Sequence, residues 1–372
     1  MKRLVALLVL TMLILTGCTS SATTIKIGMV TPLTGNVATY GQSHLKGYTM
    51  AIDEINAQGG VNGKKLVLLT YDDGGVPANA ATGAQKFADQ KDIILITGSC
   101  TSSSTLAMVP ITAKAKIPHM VVSSSAKSLD GASPYFSRMS TLDAVVGQNM
   151  IDVIADKLKA KKIVIVYANT DSGKTLAASC EAEAKVKNLV VLASISYLET
   201  DQDFSAIVTK IQSLKAEAIA LCGYYTDSAL LMKQARQAGL NAIGVGSTSV
   251  FSPKYIEIGG AAAEGTIVLC PFLAVSTKPV VQEFVKKFNE KYQITPDSYA
   301  ALAYDQVYVI KAAIERAEAA NNGKLTREGL AVAIRATSYD GVTGHVTFND
   351  LGNWVRPFLT GVVKDGQWVP YE

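Results

Sequence analysis

Short apolar runs and helix-spaced apolar positions alternate along almost the whole chain. Ile25-Lys26-Ile27-Gly28-Met29-Val30 reads as a strand, and Thr31-Pro32-Leu33-Thr34-Gly35 as the turn that follows it. Leu45, Tyr48, Ile52 and Ile55 then recur three and four residues apart, on one face of a helix that Gly59-Gly60 ends. The alternation continues with strands at 66–71, 93–97 and 119–122 and helices at 78–91 and 106–114. It restarts with a helical pattern at 145–159 and strands at 162–167, 190–197, 218–222, 243–245 and 266–270. Two long helical segments, 279–292 and 299–319, follow. Apolar strands separated by amphipathic helices imply a parallel sheet covered on both faces. The predicted fold class is α/β, with two doubly wound parallel-sheet lobes.

Each half carries one polar loop between an apolar strand and a helix. In the first it is Gly98-Ser99-Cys100-Thr101-Ser102-Ser103-Ser104-Thr105, and in the second Gly223-Tyr224-Tyr225-Thr226-Asp227. Glycine and hydroxyls just before a helix N-terminus offer free N–H groups and O–H donors, which suit a small anion, most simply a carboxylate. A capped, solvated loop is the alternative for this stretch alone, because Ser and Thr are ordinary N-cap residues. Ligands of open parallel sheets bind outside the carboxyl ends of the strands, so two such lobes facing each other form a cleft.

The start of the chain changes the picture of where this happens. Lys2 and Arg3 precede an apolar run of 12 residues, Leu4 to Leu15, and Leu15-Thr16-Gly17-Cys18 follows. That run is short for the roughly 20 residues that span a bilayer, and its layout is that of a secretory signal peptide. Its last four residues resemble the lipobox of bacterial lipoproteins. The resemblance implies a signal peptide over 1–17, lipidation of Cys18, a tether over 18–24, and an extracytoplasmic, lipid-anchored protein. Losing Lys2 and Arg3 takes the net charge from +4 to +2, a near-neutral surface with no hint of nucleic acid. At 372 residues the chain exceeds the roughly 250–300 at which one core tends to split, so two lobes are expected. Cys100, Cys180, Cys222 and Cys270 lack metal-ligand spacing and read as free, mostly buried thiols. No metal and no cofactor is expected.

A series of short motifs narrows the function. Pro32-Leu33-Thr34-Gly35, Tyr40-Gly41-Gln42, the segment from Ala51 to Gly63, Tyr71-Asp72-Asp73, Gly98 to Thr105, Asp203-Phe204-Ser205, Gly223-Tyr224-Tyr225 and Ala263-Glu264-Gly265 stand in this order. With Phe348-Asn349 and Gly352, this series resembles the solute-binding proteins of branched-chain amino acid ABC transporters. The resemblance implies a type I periplasmic binding protein: a monomeric clamp of two lobes joined by three crossovers. Lobe one would be 25–142 plus 271–342, and lobe two 143–270 plus 343–372. The clamp would deliver a hydrophobic amino acid to a membrane permease.

Carried over by motif, the carboxylate site falls on Ser102, with Cys100 and Thr101 beside it and Ser125 and Ala126 from the next loop. Tyr40 and Tyr224 match the family's site tyrosines. Three positions depart from the pattern: Lys127 stands where a threonine usually contacts the ammonium, Ser172 where a tyrosine is common, and Thr248 where an acidic residue is expected. The cysteine pair of some members is absent, its positions matching Gly75 and Thr101. A lysine facing the cleft adds positive charge and no acceptor. It would therefore favour an amine-free carboxylate, such as a keto acid, dicarboxylate or aromatic acid. A ligand sensor with the same clamp is a further alternative.

Enzyme readings fare worse. Ala168-Asn169-Thr170-Asp171-Ser172-Gly173-Lys174-Thr175 reads as a Walker A loop with alanine for its first glycine, but no strand nearby ends in a magnesium-holding acid. The chain has no Gly-x-Ser-x-Gly elbow, and His44, His119 and His345 lie in separate segments. Asp72-Asp73 runs into Gly74-Gly75, as a turn would. The chain is expected not to be an enzyme.

Overall fold

The structure is a computed structural model and describes residues 24–354 and 356–371. The expected signal peptide and lipidation at Cys18 lie outside the described residues. Five parallel strands make the first sheet: β1 (Thr24–Thr31), β2 (Lys65–Asp72), β3 (Ile93–Thr97), β4 (His119–Val121) and β5 (Phe136–Arg138), in the order β2-β1-β3-β4-β5. The second sheet begins with β6 (Lys162–Ala168), β7 (Val190–Tyr197), β8 (Ala218–Cys222), β9 (Ile243–Gly246) and β10 (Ile267–Cys270), again parallel. A small hairpin, β11 (Tyr339–Gly341) and β12 (Gly344–Val346), stands apart. Two antiparallel strands, β13 (Leu359–Lys364) and β14 (Gln367–Pro370), then extend the second sheet to β14-β13-β10-β9-β8-β6-β7. Asp365 and Gly366 join them with φ of 52° and 70°, the positive pair that a two-residue hairpin turn needs.

Helices cover both sheets. In the first lobe α1 (Ala38–Ala57), α2 (Pro77–Ala88) and α3 (Ser102–Lys114) follow the first three strands. In the second, α4 (Asp143–Asp152), α5 (Asp171–Val186), α6 (Ser205–Leu214), α7 (Tyr225–Gln237) and α8 (Pro253–Gly259) alternate with its strands. The chain then returns to the first lobe as α9 (Pro279–Tyr292), α10 (Ser298–Ala320) and α11 (Arg327–Arg335). Tyr48, Ile52 and Ile55 of α1 share one core with Val307, Ile310 and Ile314 of α10 and with Ile27, Met29 and Leu95 of the sheet. Gly47 permits the close approach of α1 to α10, because a Cβ there would lie 2.2 Å from the Ala300 carbonyl oxygen.

The third crossover lies after Trp354, which corrects the boundary expected after Val342. Val346 and Trp354 sit in the first lobe's core, and Arg138 of β5 bonds Asn353 Oδ1 at 2.7 Å. The Trp354 indole is fully buried there. Only the β13–β14 hairpin at the end of the described chain belongs with lobe two. Among the described residues no helix is long and apolar enough to cross a membrane.

Candidate functional site

The C-terminal ends of the strands in both sheets face each other across a cleft, and its walls come from loops of both lobes. Thr101 caps α3, its side chain accepting from the Ser104 N–H at 3.3 Å. Ser102 opens the helix and does something else: its Oγ accepts from the N–H groups of Ser125 and Ala126, each at 3.1 Å. Two acceptances fill a hydroxyl's lone pairs, so the Ser102 O–H is left to donate.

One cavity is lined by Tyr40, Cys100, Thr101, Ser102, Ser125, Ser172 and Tyr224, together with Ser123, Ser249 and Tyr299. Seven of the ten sequence-predicted residues thus meet at one place. Ala126 is buried beside it, presenting its N–H to Ser102. Two predicted residues are placed elsewhere. Lys127 is exposed at the start of a single helical turn and does not line the cavity, since a long charged side chain at the loop's edge keeps its ammonium in water. Thr248 lines an adjoining space and offers its carbonyl to the Tyr299 hydroxyl at 3.1 Å, while the next residue, Ser249, takes the place in the wall. Sequence reasoning missed Ser123, Ser249 and Tyr299, and Tyr299 comes from the distant α10.

The two lobes are latched across the cleft. Tyr40 Oη donates to the Ser249 carbonyl, Thr226 Oγ1 to the Asn36 carbonyl at 3.0 Å, and Ser103 Oγ to Asp171 Oδ2 at 2.8 Å. Tyr40 also packs edge-on or tilted against three rings, with centroids 4.5 Å from Tyr299, 5.0 Å from Tyr225 and 6.2 Å from Tyr224. In this shut arrangement the cavity holds about 10 Å³, the space of about one water, so any larger solute enters through a wider one.

No side chain lining the cavity is an acid or a base, yet a carboxylate lies directly behind it. Asp143 is buried, accepts from Ser172 Oγ at 2.7 Å, and donates its N–H to the Ser125 carbonyl at 3.0 Å. Burial pushes its carboxyl up to about 6, against the pull of Ser172, Ser125 and Arg138. Below Tyr224, Asp227 accepts from Tyr197 Oη at 2.6 Å, and burial raises it to about 7. Cys100 Sγ lies 3.1 Å from His44 Nδ1, but burial raises the thiol and lowers the imidazole to about 3. Both are neutral at pH 7, unlike the ion pair that makes a thiolate nucleophile. Cys180 and Cys222 approach to 3.9 Å as two buried thiols.

The buried acids set a pH dependence. Each has a folded-state value above its ordinary 3.8, so its stabilising contribution is complete below about pH 4 and is lost as pH rises through about 6 for Asp143 and 7 for Asp227. His44 and His119, lowered to about 3 and about 4, act in the opposite sense as pH falls below 6.5. Asp227→Asn keeps an oxygen for Tyr197 and removes the titration. It is expected to flatten the fall in melting temperature between pH 5 and 8, and an unchanged slope in a pH series of thermal unfolding would contradict the assignment.

Comparison with known proteins agrees with this geometry. The sequence profile of a periplasmic binding protein family matches residues 24–367. A leucine-, isoleucine-, valine-, threonine- and alanine-binding protein of Pseudomonas aeruginosa is 29% identical over 334 residues, 90% of this chain and 88% of the relative. The branched-chain amino acid transporter substrate-binding protein LivJ of Streptococcus pneumoniae, solved in complex with isoleucine, superposes with a TM-score of 0.87 at 28% identity, covering 93% of this chain and 97% of its own. The leucine-binding protein LivK of Thermotoga maritima gives a TM-score of 0.87 at 28% identity, covering 94% and 98%. With nearly its whole described length matched, the chain belongs to the periplasmic binding protein family.

Proposed function

We propose that this protein is the extracytoplasmic solute-binding component of an ABC importer, and that it clamps a branched-chain or other hydrophobic amino acid between its lobes for delivery to a membrane permease. The observation that carries this reading is the Ser102 hydroxyl, committed by two backbone donors to donate into a cleft with no charged lining. A carboxylate there accepts that hydrogen bond together with those from the N–H groups at the start of α3. The related proteins named above, one of them holding isoleucine, support the same class of solute. The chain acts as a monomer, tethered through a lipid on Cys18, with no cofactor and no catalytic step.

Charge distinguishes an amino acid from an amine-free acid. With Lys127 exposed, no cation faces the cleft to neutralise a second negative group. The carboxyl group of Asp143 lies behind Ser172 and Ser125. A zwitterion brings its own compensating ammonium to that region; a dicarboxylate brings like charge at a desolvation cost. In a thermal-shift panel of aliphatic amino acids, their keto acids, dicarboxylates and aromatic acids, leucine, isoleucine or valine is expected to stabilise. At a hundredfold excess over Kd the gain is about 2.7 kcal/mol. Stabilisation by amine-free acids alone would overturn the reading.

A further inference from the structure

A second cavity, of about 380 Å³, lies where the chain passes between the lobes. Two of the three crossovers border it, through Pro271, Phe272 and Leu273 after β10 and through Trp354, Arg356 and Phe358 before β13. It shares no lining residue with the cleft cavity, and its size falls within the roughly 300–1,000 Å³ of small-molecule sites.

Arg356 gives this space its chemistry. Its guanidinium stacks on Trp354, with Cζ 4.6 Å from the ring centroid, and donates to the carbonyls of Pro271 and Pro357. Nη1 is buried without a hydrogen-bond partner, and among the described residues no carboxylate pairs with the guanidinium. Asp305 acts on it only at longer range, its oxygens being occupied by Val342 N at 2.9 Å, Thr343 N at 2.8 Å and Thr343 Oγ1. Burial lowers Arg356 to about 10, so it stays charged at neutral pH. Arg356 as a whole is half-buried, but a shielded guanidinium donor with no partner costs free energy unless something pairs with it. The remaining lining adds Lys278 and His345 and contains neither Asp nor Glu. Otherwise the wall is largely apolar, with Val280 and Leu359 exposed at its rim.

We infer that this cavity is a second binding site, for a small carboxylate with an apolar body, its head against Arg356 and its body against Phe272 and Phe358. Such a molecule touches two crossovers at once. Lobe movement alters the relation between those crossovers, so occupancy here and occupancy of the cleft are coupled, each changing the other's affinity by the same factor.

Sodium octanoate is the probe. Titrated calorimetrically into the purified chain, it is expected to bind wild type and Ser102→Ala alike, and to bind Arg356→Gln at least tenfold more weakly. Val280→Trp fills the mouth from an exposed position without touching the Arg356 contacts. It is expected to weaken binding similarly, and so keeps the test open if Arg356→Gln does not fold. Binding lost in Ser102→Ala but retained in Val280→Trp would put octanoate in the cleft and overturn the site. Sodium sulfate binding as tightly as octanoate would show that the apolar wall contributes nothing and overturn the ligand class. No octanoate binding up to millimolar concentration would overturn the proposal outright. None of these outcomes depends on which amino acid the cleft prefers.

Discussion

Ser102→Ala is expected to weaken solute binding by about tenfold to a hundredfold, the 1.5–3 kcal/mol range of a hydrogen bond to a charged group. The variant removes an O–H that its neighbours force to donate into the cleft. It also strips the Ser125 and Ala126 N–H groups of their acceptor, so a loss of fold stability of about 1–2 kcal/mol accompanies the effect. Calorimetry with the preferred amino acid, read beside denaturant unfolding, separates the two. Unaltered affinity would reduce Ser102 to the first turn of a helix and nothing more.

Arg138→Met is the second large effect, an expected loss of about 3 kcal/mol of stability from its charge-assisted hydrogen bonds. Arg138 is 0% exposed and ends β5. It donates to Asn353 Oδ1 at 2.7 Å, to the Ala126 carbonyl at 2.8 Å, to the Ser124 carbonyl at 3.4 Å, and to Asp130. Methionine fills the volume and leaves Asn353 Oδ1 without a donor, and it strips a charge-assisted bond from the Ser124 and Ala126 carbonyls and from Asp130, which keep Ser140 Oγ, the Leu129 N–H and Asn353 Nδ2. The Ser124 and Ala126 carbonyls belong to the loop whose N–H groups hold Ser102, so the damage reaches the cleft as well. Arg138→Lys is expected to rescue little, because one ammonium cannot reproduce a planar fork aimed at acceptors from different segments. A loss below about 1 kcal/mol in urea unfolding would show that the network is not what holds this loop.

What was legible in the chain was local. Apolar runs marked nine of the ten parallel strands, most plainly the central ones such as β6 and β8, where burial on both faces leaves few polar positions. β5 escaped: Phe136-Ser137-Arg138 is three residues long and ends in an arginine whose burial depends on Asn353, far away in sequence. β13 and β14 interrupt the parallel rhythm; Asp365-Gly366, with Val363 and Trp368 two residues out on either side, is the hairpin signal in that stretch. At the site, residues on strand-to-helix loops were readable from glycine and hydroxyl content. Ser249, Tyr299 and Asp143 were not, since nothing in their own neighbourhoods says that three remote segments converge. Lys127 and Thr248 were assigned by position in a motif, and side-chain direction is decided by packing that a motif does not contain.

The chain visits the first lobe, leaves it after β5, and returns only at α9. Neither half can therefore be excised as one continuous fragment. A gene piece ending at Cys270 would encode α1 without α10 to cover it, and β10 as a bare edge without β13. Uncovered apolar faces and open strand edges are what drive chains to precipitate. A single protease cut near residue 275, made after folding, would do the reverse: each product would own parts of both lobes, and the two would stay clasped like the links of a chain, parting only when the protein unfolds.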